Sequence, residues 1–390
     1  MLIYLELVKW NCWKDSSMDG AMVVRRLKHL GGFEGNREEL RPWSDLPVDV
    51  LNIIAERLDF IEQLYFRLVC KNWRQSQVVP LYKNLPWLME HIWTYDDKNV
   101  NSVCSFHLPT DNRSHVTYNK LRREELNDLH GAVVCASRFG WLLLQKSTLS
   151  FFYNPYSKSI IKLPDLDIGF NRSTFSSVPT SPDCVCFAIQ SSKNSSKMWL
   201  STCQPGDRKW STTVKFAGPK RAVEDVVYSN GTFYCVFTGG ALGAFCVAHR
   251  YWSMLTDVNL VPGILSDTRA HMVESNGQLF LVYRSSSMCF RVFNFDWSEK
   301  TWDETYTLGC QAFFLGCTSF SVSAEGETSG FAERIYYHCD TYSSYYLLKT
   351  KQSHRCTFYP WVTERGPERV WIQPPEIWSK LVRHQSEKQV

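Results

Sequence analysis

The chain has 390 residues, 14% of them aromatic, and a formal net charge of +4. That length accommodates one large domain and a small one, and so small a net charge gives no indication of nucleic acid binding. No apolar run approaches the roughly 20 residues of a membrane helix. The 14 cysteines include no CxxC pair, and without a secretory signal they do not indicate a disulfide framework. We expect an intracellular protein of the nucleus, the cytoplasm or both, with no membrane or nucleic acid partner.

The first clear pattern begins at Trp43, after 42 residues of mixed charge that we expect to be poorly ordered. It predicts an amphipathic helix. Ser44 or Asp45 could cap this helix, and Pro47 suits its first turn because the missing N–H does no harm there. The apolar residues recur at three- and four-residue steps and would share one face: Leu46, Val50, Leu51, Ile54 and Leu58.

A second helix is predicted to begin at Asp59, with Glu62 three residues later in a capping-box-like pair. Its apolar residues lie on several faces: Leu64 and Leu68 on one, and Phe66, Val69, Cys70 and Trp73 largely on others. A helix with this distribution is buried on more than one side. Because a unit of about 30 residues is too small to fold well alone, we expect it to complete its core on another protein.

Residues 43–74 resemble the F-box motif. The matching letters, in chain order, are Leu46-Pro47, Val50-Leu51, Ile54, Arg57-Leu58 and the run from Phe66 to Arg74. The resemblance implies binding to the Skp-type adaptor of a cullin-RING ubiquitin ligase. The adaptor-binding residues that it implies are Leu46, Pro47, Val50, Leu51, Ile54, Leu58, Leu64, Val69, Cys70 and Trp73. We expect the first five of these to be part-exposed in the isolated chain. Two core helices of a larger α domain are the alternative, but helical patterns nearly stop afterwards.

From about residue 92, short β-type runs and turn signals take over. Two segments match each other closely, VYSNGTFYCVF from Val227 and VESNGQLFLVY from Val273. Each holds an Asn-Gly pair between alternating apolar runs, at 230–231 and 276–277. This is a strong hairpin signal because both residues tolerate positive φ. We therefore predict two equivalent hairpins in successive structural units.

A tryptophan follows the strands of each unit: Trp210, Trp252 and Trp302. A repeat of about 40–50 residues with three or four strands is typical of a β-propeller. About six blades would fit the length, and five or seven stay open. Each Trp is expected to be buried between adjacent blades, where the strands splay apart. A β-sandwich would not predict the repeated Asn-Gly and Trp spacing.

The combination resembles plant F-box proteins with a C-terminal kelch-like propeller. The matching stretches are GWLLL at 140–144, NPYSKSIIKLP at 154–164, ERIYY at 333–337 and RVWIQPPEIW at 369–378. The blade repeats lack the paired glycines of true kelch sequences. The last stretch follows the final recognisable blade and is too apolar for a free tail, with Val370, Trp371, Ile372, Ile377 and Trp378. We expect it to pack against early propeller strands and close the ring.

The expected fold is thus multi-domain, α then β, with a small helical F-box followed by a β-propeller of about six blades. The predicted divisions are a poorly ordered extension at 1–42, the F-box with a bridging helical segment at 43–90, the propeller at 91–382 and a flexible tail at 383–390.

No catalytic motif is evident: GxSxG, the P-loop, HExxH and the dinucleotide fingerprint are all missing from the sequence. His338 and Cys339 are neighbours whose side chains would point to opposite faces of a strand, so they do not indicate a metal site. We expect no cofactor, no metal and no catalytic residue.

The predicted function is a non-catalytic substrate receptor of a Skp–cullin–F-box ubiquitin ligase, whose propeller binds an unknown target protein. Two alternatives stay open. One is a non-degradative scaffold, and the other is a propeller hydrolase, in which Asp and Glu of the inner strands would converge on the central channel.

Overall fold

The computed structural model describes residues 43–56, 58, 63, 66, 69–75, 85–96, 99–107, 114–119, 127–167, 169–216, 221–256, 261, 270–284, 289–338, 343–356 and 368–373. The chain forms two compact units, which divide between Lys83 and Asn84. The predicted extension at 1–42, the predicted start of the second helix at Asp59 and the predicted tail at 383–390 lie outside the described residues.

In the first unit, the helix α1 spans Val48–Ala55, and short 3-10 helices span Trp43–Asp45 and Trp73–Gln75. The expectation that Ser44 or Asp45 caps α1 is wrong. Pro47 is the N-cap, and its carbonyl accepts the N–H of Leu51 at 3.0 Å. Pro47 itself has φ −56° and ψ 147°, which is an extended backbone, so the helix begins at the next residue.

The first unit has a small core of its own. Leu51, Ala55, Phe66 and Trp73 are buried together, and the rings of Phe66 and Trp73 lie 4.6 Å apart. Trp73 Nε1 donates to the Trp43 carbonyl at 2.8 Å. This bond joins two residues of the first unit that are 30 positions apart in the sequence.

The second unit consists mainly of strands, with a 3-10 helix at Gly326–Phe331 and a single helical turn at 127–129. In chain order those of the described residues are β1 Trp87–Asp96, β2 Asn99–His107, β3 Ser114–Asn119, β4 Val133–Arg138, β5 Trp141–Lys146, β6 Leu149–Asn154, β7 Ser159–Lys162, β8 Arg172–Phe175, β9 Cys186–Ser192, β10 Ser195–Cys203, β11 Ser211–Phe216, β12 Val223–Ser229, β13 Thr232–Phe237, β14 Leu242–Cys246, β15 Tyr251–Met254, β16 Ala270–Ser275, β17 Gln278–Arg284, β18 Phe290–Asp296, β19 Thr301–Thr305, β20 Gln311–Phe314, β21 Phe320–Ser323, β22 Arg334–His338, β23 Ser343–Leu347, β24 Gln352–Arg355 and β25 Glu368–Ile372.

These strands form six sheets, which are the blades of a six-bladed β-propeller. Blade 1 has the order β25-β1-β2-β3, and blades 2 to 5 are β4 to β7, β8 to β11, β12 to β15 and β16 to β19. Blade 6 has the order β21-β20-β22-β23-β24. From blade 1 round to blade 6, neighbouring blades meet at their innermost strands, which are β25, β4, β8, β12, β16 and β21. The predicted fold class is confirmed. Because β1 starts at Trp87, the predicted division at 90/91 falls inside a propeller strand.

Blade 6 departs from the plain antiparallel order of the others. Its strand β20 pairs antiparallel with β21 but parallel with β22, through Phe313 with Ile335 and Phe314 with Tyr336. The stacked rings of Phe314 and Tyr336, 4.6 Å apart, hold this parallel pair together. The blade therefore has a fifth strand, which the repeat pattern of the sequence does not predict.

The ring is closed by the last described strand. β25 pairs antiparallel with β1, with Trp371 opposite Leu88 and Val370 opposite Met89. The Trp371 carbonyl also accepts a bond from Ser137 Oγ of β4 at 2.8 Å, which joins blade 1 to blade 2. The prediction that 369–378 closes the propeller is confirmed for 369–372, and Ile377 and Trp378 lie outside the described residues.

The three predicted tryptophans are buried at successive seams, as expected. Trp210 packs in the core between blades 2 and 3, Trp252 in that between blades 3 and 4, and Trp302 in that between blades 4 and 5. Two of them bond back to the preceding blade. Trp210 Nε1 donates to the Pro164 carbonyl at 2.8 Å, and Trp302 Nε1 donates to the Gly240 carbonyl at 2.7 Å. Each tryptophan therefore fixes its blade against the one before it.

Candidate binding surfaces

Five apolar residues of the first unit are exposed, two of them on α1 and one at its N-cap. Val50 is 39% exposed, Ile53 is 53% exposed and Val69 is 46% exposed, and Trp43 is 62% exposed. Pro47 is also exposed. We call Trp43, Pro47, Val50, Ile53 and Val69 the open apolar face. Side chains of this size are usually withdrawn from water, and several in one small unit mark a surface suited to a protein partner.

The predicted adaptor-binding residues divide between this face and the core. Leu51 and Trp73 are buried, so the expectation that Leu51 is part-exposed is wrong. Its side chain lies on the inner stripe of α1 with Ala55, one helical turn away. Pro47, Val50 and Val69 belong to the open apolar face. The half-buried members are Leu46, Ile54, Leu58 and Cys70, and Leu64 lies outside the described residues.

Two residues of the open apolar face, Trp43 and Ile53, were not predicted from the sequence. Ile53 could have been found, because it lies three residues after Val50 and so shares its side of a helix. The helix α1 carries two apolar stripes: Leu51 and Ala55 face the core, and Val50 and Ile53 face outward. A single-stripe interpretation of the sequence merges these two sets.

The inner strands of the propeller run in one direction. Asp225, early in β12, accepts a bond from the backbone N–H of Met272, early in β16, at 2.8 Å. Ser229, at the end of β12, reaches Glu274 near the end of β16. The early parts of β12 and β16 therefore lie side by side, as do their late parts, so the two strands run in the same direction. The carboxyl ends of β4, β8, β12 and β16 consequently meet at the same end of the propeller axis.

Charged and aromatic groups gather at this end. Arg138 is the last residue of β4, and its Nη1 donates to the carbonyl of Phe175, the last residue of β8, at 3.3 Å. Its guanidinium carbon lies 5.0 Å from the centre of the Phe139 ring and 6.0 Å from that of Tyr228. Glu274 acts on the same guanidinium through its charge. We call Arg138, Phe139, Phe175, Tyr228 and Glu274 the Arg138 mouth.

The three described carboxylates of β12 and β16 each have different hydrogen-bond partners. Asp225 is buried and is held by the N–H groups of Met272 and Val226, both at 2.8 Å. Burial raises the pKa of Glu224, which lies near the start of β12. Glu274 lies near the end of β16, where its Oε1 accepts the Gly277 N–H at 2.8 Å. The paired arrangement that a propeller hydrolase would use is not evident among these three described side chains.

Two family models match the chain. A model described as the F-box domain matches residues 43–82, and one described as the KIB1-4 beta-propeller matches residues 105–359. The second covers well over half of the chain. The protein belongs to the KIB1-4 beta-propeller family.

Relatives in one plant match this chain over most of their own length. The F-box protein At3g56470 of Arabidopsis thaliana is 26% identical over 355 residues, which is 87% of this chain and 90% of the relative. The F-box/kelch-repeat protein At1g57790 of the same plant is 27% identical over 358 residues, 87% of this chain and 97% of the relative. Among solved structures, the AfRom2 CNH domain aligns with a TM-score of 0.37 and 11% identity, over 75% of this chain and 96% of that domain.

An F-box followed by a KIB1-4 propeller is the organisation of a substrate-receptor type of protein. The match to the propeller begins within β2 and ends before β25, so it does not include the strand pairing that closes blade 1. Across the described part of the chain, no three His, Cys, Asp or Glu side chains are placed to bind a metal ion together. No helix in those ranges has the length and apolar character to cross a membrane.

Proposed function

We propose that this protein is the substrate-recognition subunit of a Skp–cullin–F-box ubiquitin ligase. The F-box unit binds the Skp-type adaptor, and the propeller binds a target protein. The protein itself catalyses no step. Its contribution is to hold a target lysine close to the ubiquitin-charged enzyme, which raises the local concentration of the acceptor.

The observation that carries this proposal is the open apolar face in a segment that matches the F-box. Leu51, Phe66 and Trp73 already fill the core of the unit, so the exposed Val50, Ile53 and Val69 are not needed there. Burying one such side chain on a partner contributes about 1.5–3 kcal/mol. Several together provide the apolar centre of an interface with an adaptor.

The test is binding of a purified Skp-type adaptor to the full chain by calorimetry. Val50→Asp places a charge in the open apolar face and should weaken binding by about 100-fold or more. Val214→Asp makes the same exchange at an exposed position of β11 in the propeller and should leave the affinity unchanged. The melting temperatures of both variants should match that of the unaltered chain, since neither side chain is in a core.

Equal adaptor affinity of the two variants would show that the open apolar face is not the adaptor site. Leu51→Asp is unsuitable for this experiment, because Leu51 is buried and a charge there would unfold the unit rather than report on the interface.

A further inference from the structure

The guanidinium of Arg138 is incompletely partnered. The side chain is half-buried, and its hydrogen bond among the described residues goes to a neutral acceptor, the Phe175 carbonyl. No carboxylate oxygen of the described residues lies within the 4.0 Å of an ion pair with it. Burial lowers the pKa of Arg138 to about 10, and the charge of Glu274 only partly offsets this. A cation withdrawn from water in this way is costly unless something compensates it.

The carboxylate of Glu274 does not supply that compensation directly. Its Oε1 accepts the N–H of Gly277 at 2.8 Å and faces the hydroxyl of Ser229 at 3.5 Å. These donors belong to blades 5 and 4, so Glu274 is held on its own side of the mouth. Arg138 extends from blade 2 on the other side. The two opposite charges thus lie at the same end of the propeller, and no ion pair joins them.

The remaining contacts of Arg138 leave its donors available. The rings of Phe139 and Tyr228 lie close to the guanidinium, and neither ring supplies a charged acceptor to it. Its N–H donors point outward in the plane, in a fork that matches the two oxygens of a carboxylate. Such a charge-assisted, two-pronged bond is the strongest interaction that this side chain can form.

We propose that the Arg138 mouth binds the carboxylate of an Asp or Glu side chain in a peptide segment of the target protein. This inference rests on the proposed function, because it names the chemistry of the target. The ligand supplies the ion-pair partner that the described part of the chain does not. The rings of Phe139 and Tyr228 lie beside the guanidinium and would flank the bound carboxylate.

Glu274 gives this proposal an unusual signature. Its negative charge lies close enough to act on Arg138, so it repels an incoming carboxylate while Arg138 attracts it. Removing the two charges should therefore change the affinity in opposite directions. A purely structural role of Arg138 would not lead to tighter binding when Glu274 is neutralised.

The probe is a library of random dodecapeptides displayed on their messenger RNA and selected on the immobilised full chain. Enriched peptides are then measured by fluorescence polarisation. We expect them to share an Asp or Glu, and replacing that residue with Asn or Gln should weaken binding. Arg138→Gln should weaken binding by about 10- to 100-fold. Glu274→Gln should strengthen it by about 3- to 10-fold.

The matched control is Arg250→Gln. Arg250 is exposed in the turn between β14 and β15, and its replacement removes the same charge from the same propeller without touching the mouth. It should change the affinity by less than about 2-fold at physiological ionic strength, since exposed charges are screened by salt. The melting temperature of each variant shows that the propeller is intact.

Four outcomes would overturn the proposal: no enrichment of peptides, enriched peptides without an acidic residue, unchanged affinity of Arg138→Gln, or an equal loss in Arg250→Gln. Adaptor binding is measured separately on the same preparation of the unaltered chain. A chain that binds the adaptor but selects no acidic peptide would refute this inference while leaving the proposed function standing. A chain that selects acidic peptides but does not bind the adaptor would refute the proposed function while leaving the acidic-peptide site standing.

Discussion

Blade 1 and the Arg138 mouth both hold charged side chains away from water, but they compensate those charges in different ways. In blade 1, the fully buried Glu90 of β1 accepts Arg369 Nε of β25 at 2.7 Å, and its other oxygen lies 3.3 Å from His107 Nε2 of β2. This Glu90 cluster is complete within the chain and joins three strands. At the mouth, Arg138 has a carbonyl and two rings but no carboxylate at ion-pair distance among the described residues.

This difference in compensation indicates the role of each group of charges in the protein. A buried charge whose partners are supplied by the fold is compensated there, and removing one partner destabilises the fold because the other is left uncompensated. A charge whose partner is not supplied has a cost that the fold does not recover. Since such groups concentrate at functional sites, we assign the Glu90 cluster to ring closure and the Arg138 mouth to recognition.

The largest expected effect comes from removing the strand that carries Arg369. Deleting 369–390 removes most of β25, exposes the edge of β1 and leaves Glu90 without its arginine. We expect the propeller to lose cooperative unfolding, as followed by circular dichroism during heating. Deleting only 383–390 keeps β25 and should leave the melting temperature nearly unchanged. Equal stability of the two truncated chains would show that β25 does not close the ring.

A sharper comparison replaces one arginine at a time with the same residue. Arg369→Met leaves Glu90 buried beside His107 alone and should reduce the free energy of unfolding by about 3–5 kcal/mol. Arg138→Met removes a charge that is incompletely compensated and should change that free energy by less than about 1 kcal/mol. Chemical denaturation of both variants measures the contrast. Similar losses would mean that Arg138 also stabilises the fold, and the distinction between the two groups would fail.

Sequence reasoning found the repeated parts of this propeller but not its sites. The Asn-Gly pairs predicted the turns between β12 and β13 and between β16 and β17, where all four residues have positive φ. The tryptophans predicted the interfaces between blades, because a large apolar ring is stabilised by burial and each of these rings follows the strands of its blade. The turn residues Lys158, Arg250, Lys300 and Lys351 also have positive φ, which their residue types do not indicate.

The Arg138 mouth could not be predicted because its members are distant in the sequence. Arg138, Tyr228 and Glu274 come from blades 2, 4 and 5, and only the closed ring brings them to one end of the axis. No short-range spacing in the sequence indicates that these three residues lie close together. The Glu90 cluster was missed for the same reason, since Glu90 and Arg369 are 279 positions apart. The buried position of Leu51 was missed because an amphipathic pattern does not tell which of two apolar stripes faces the core.

Acidification offers a further test of the Glu90 cluster. Burial acts to raise the pKa of Glu90, but the hydrogen bonds from His107 and Arg369 outweigh it and lower the pKa below 4.5. A carboxyl whose pKa is lower in the folded than in the unfolded state stabilises the fold above the unfolded value. That contribution is lost as the pH falls through the folded pKa. We expect stability to fall on acidification below about pH 4.5, and the fall should be smaller in Glu90→Gln. Equal acid dependence of the two chains would contradict this assignment.

The smallest effect is expected at Glu224, where removing the charge should stabilise the fold rather than destabilise it. Burial raises the pKa of this carboxyl despite bonds from Ala270 and Thr238, and its Oε2 is a buried atom without a hydrogen-bond partner. Because the folded pKa lies above the unfolded one, ionisation opposes folding at neutral pH, and the cost disappears as the pH falls below the unfolded value. Glu224→Gln removes the charge while keeping the shape, so it should raise the free energy of unfolding at pH 7 by up to about 1 kcal/mol. The gain should vanish near pH 4. Destabilisation at pH 7 would instead show that the ionised Glu224 has a partner that compensates it, as Glu90 does.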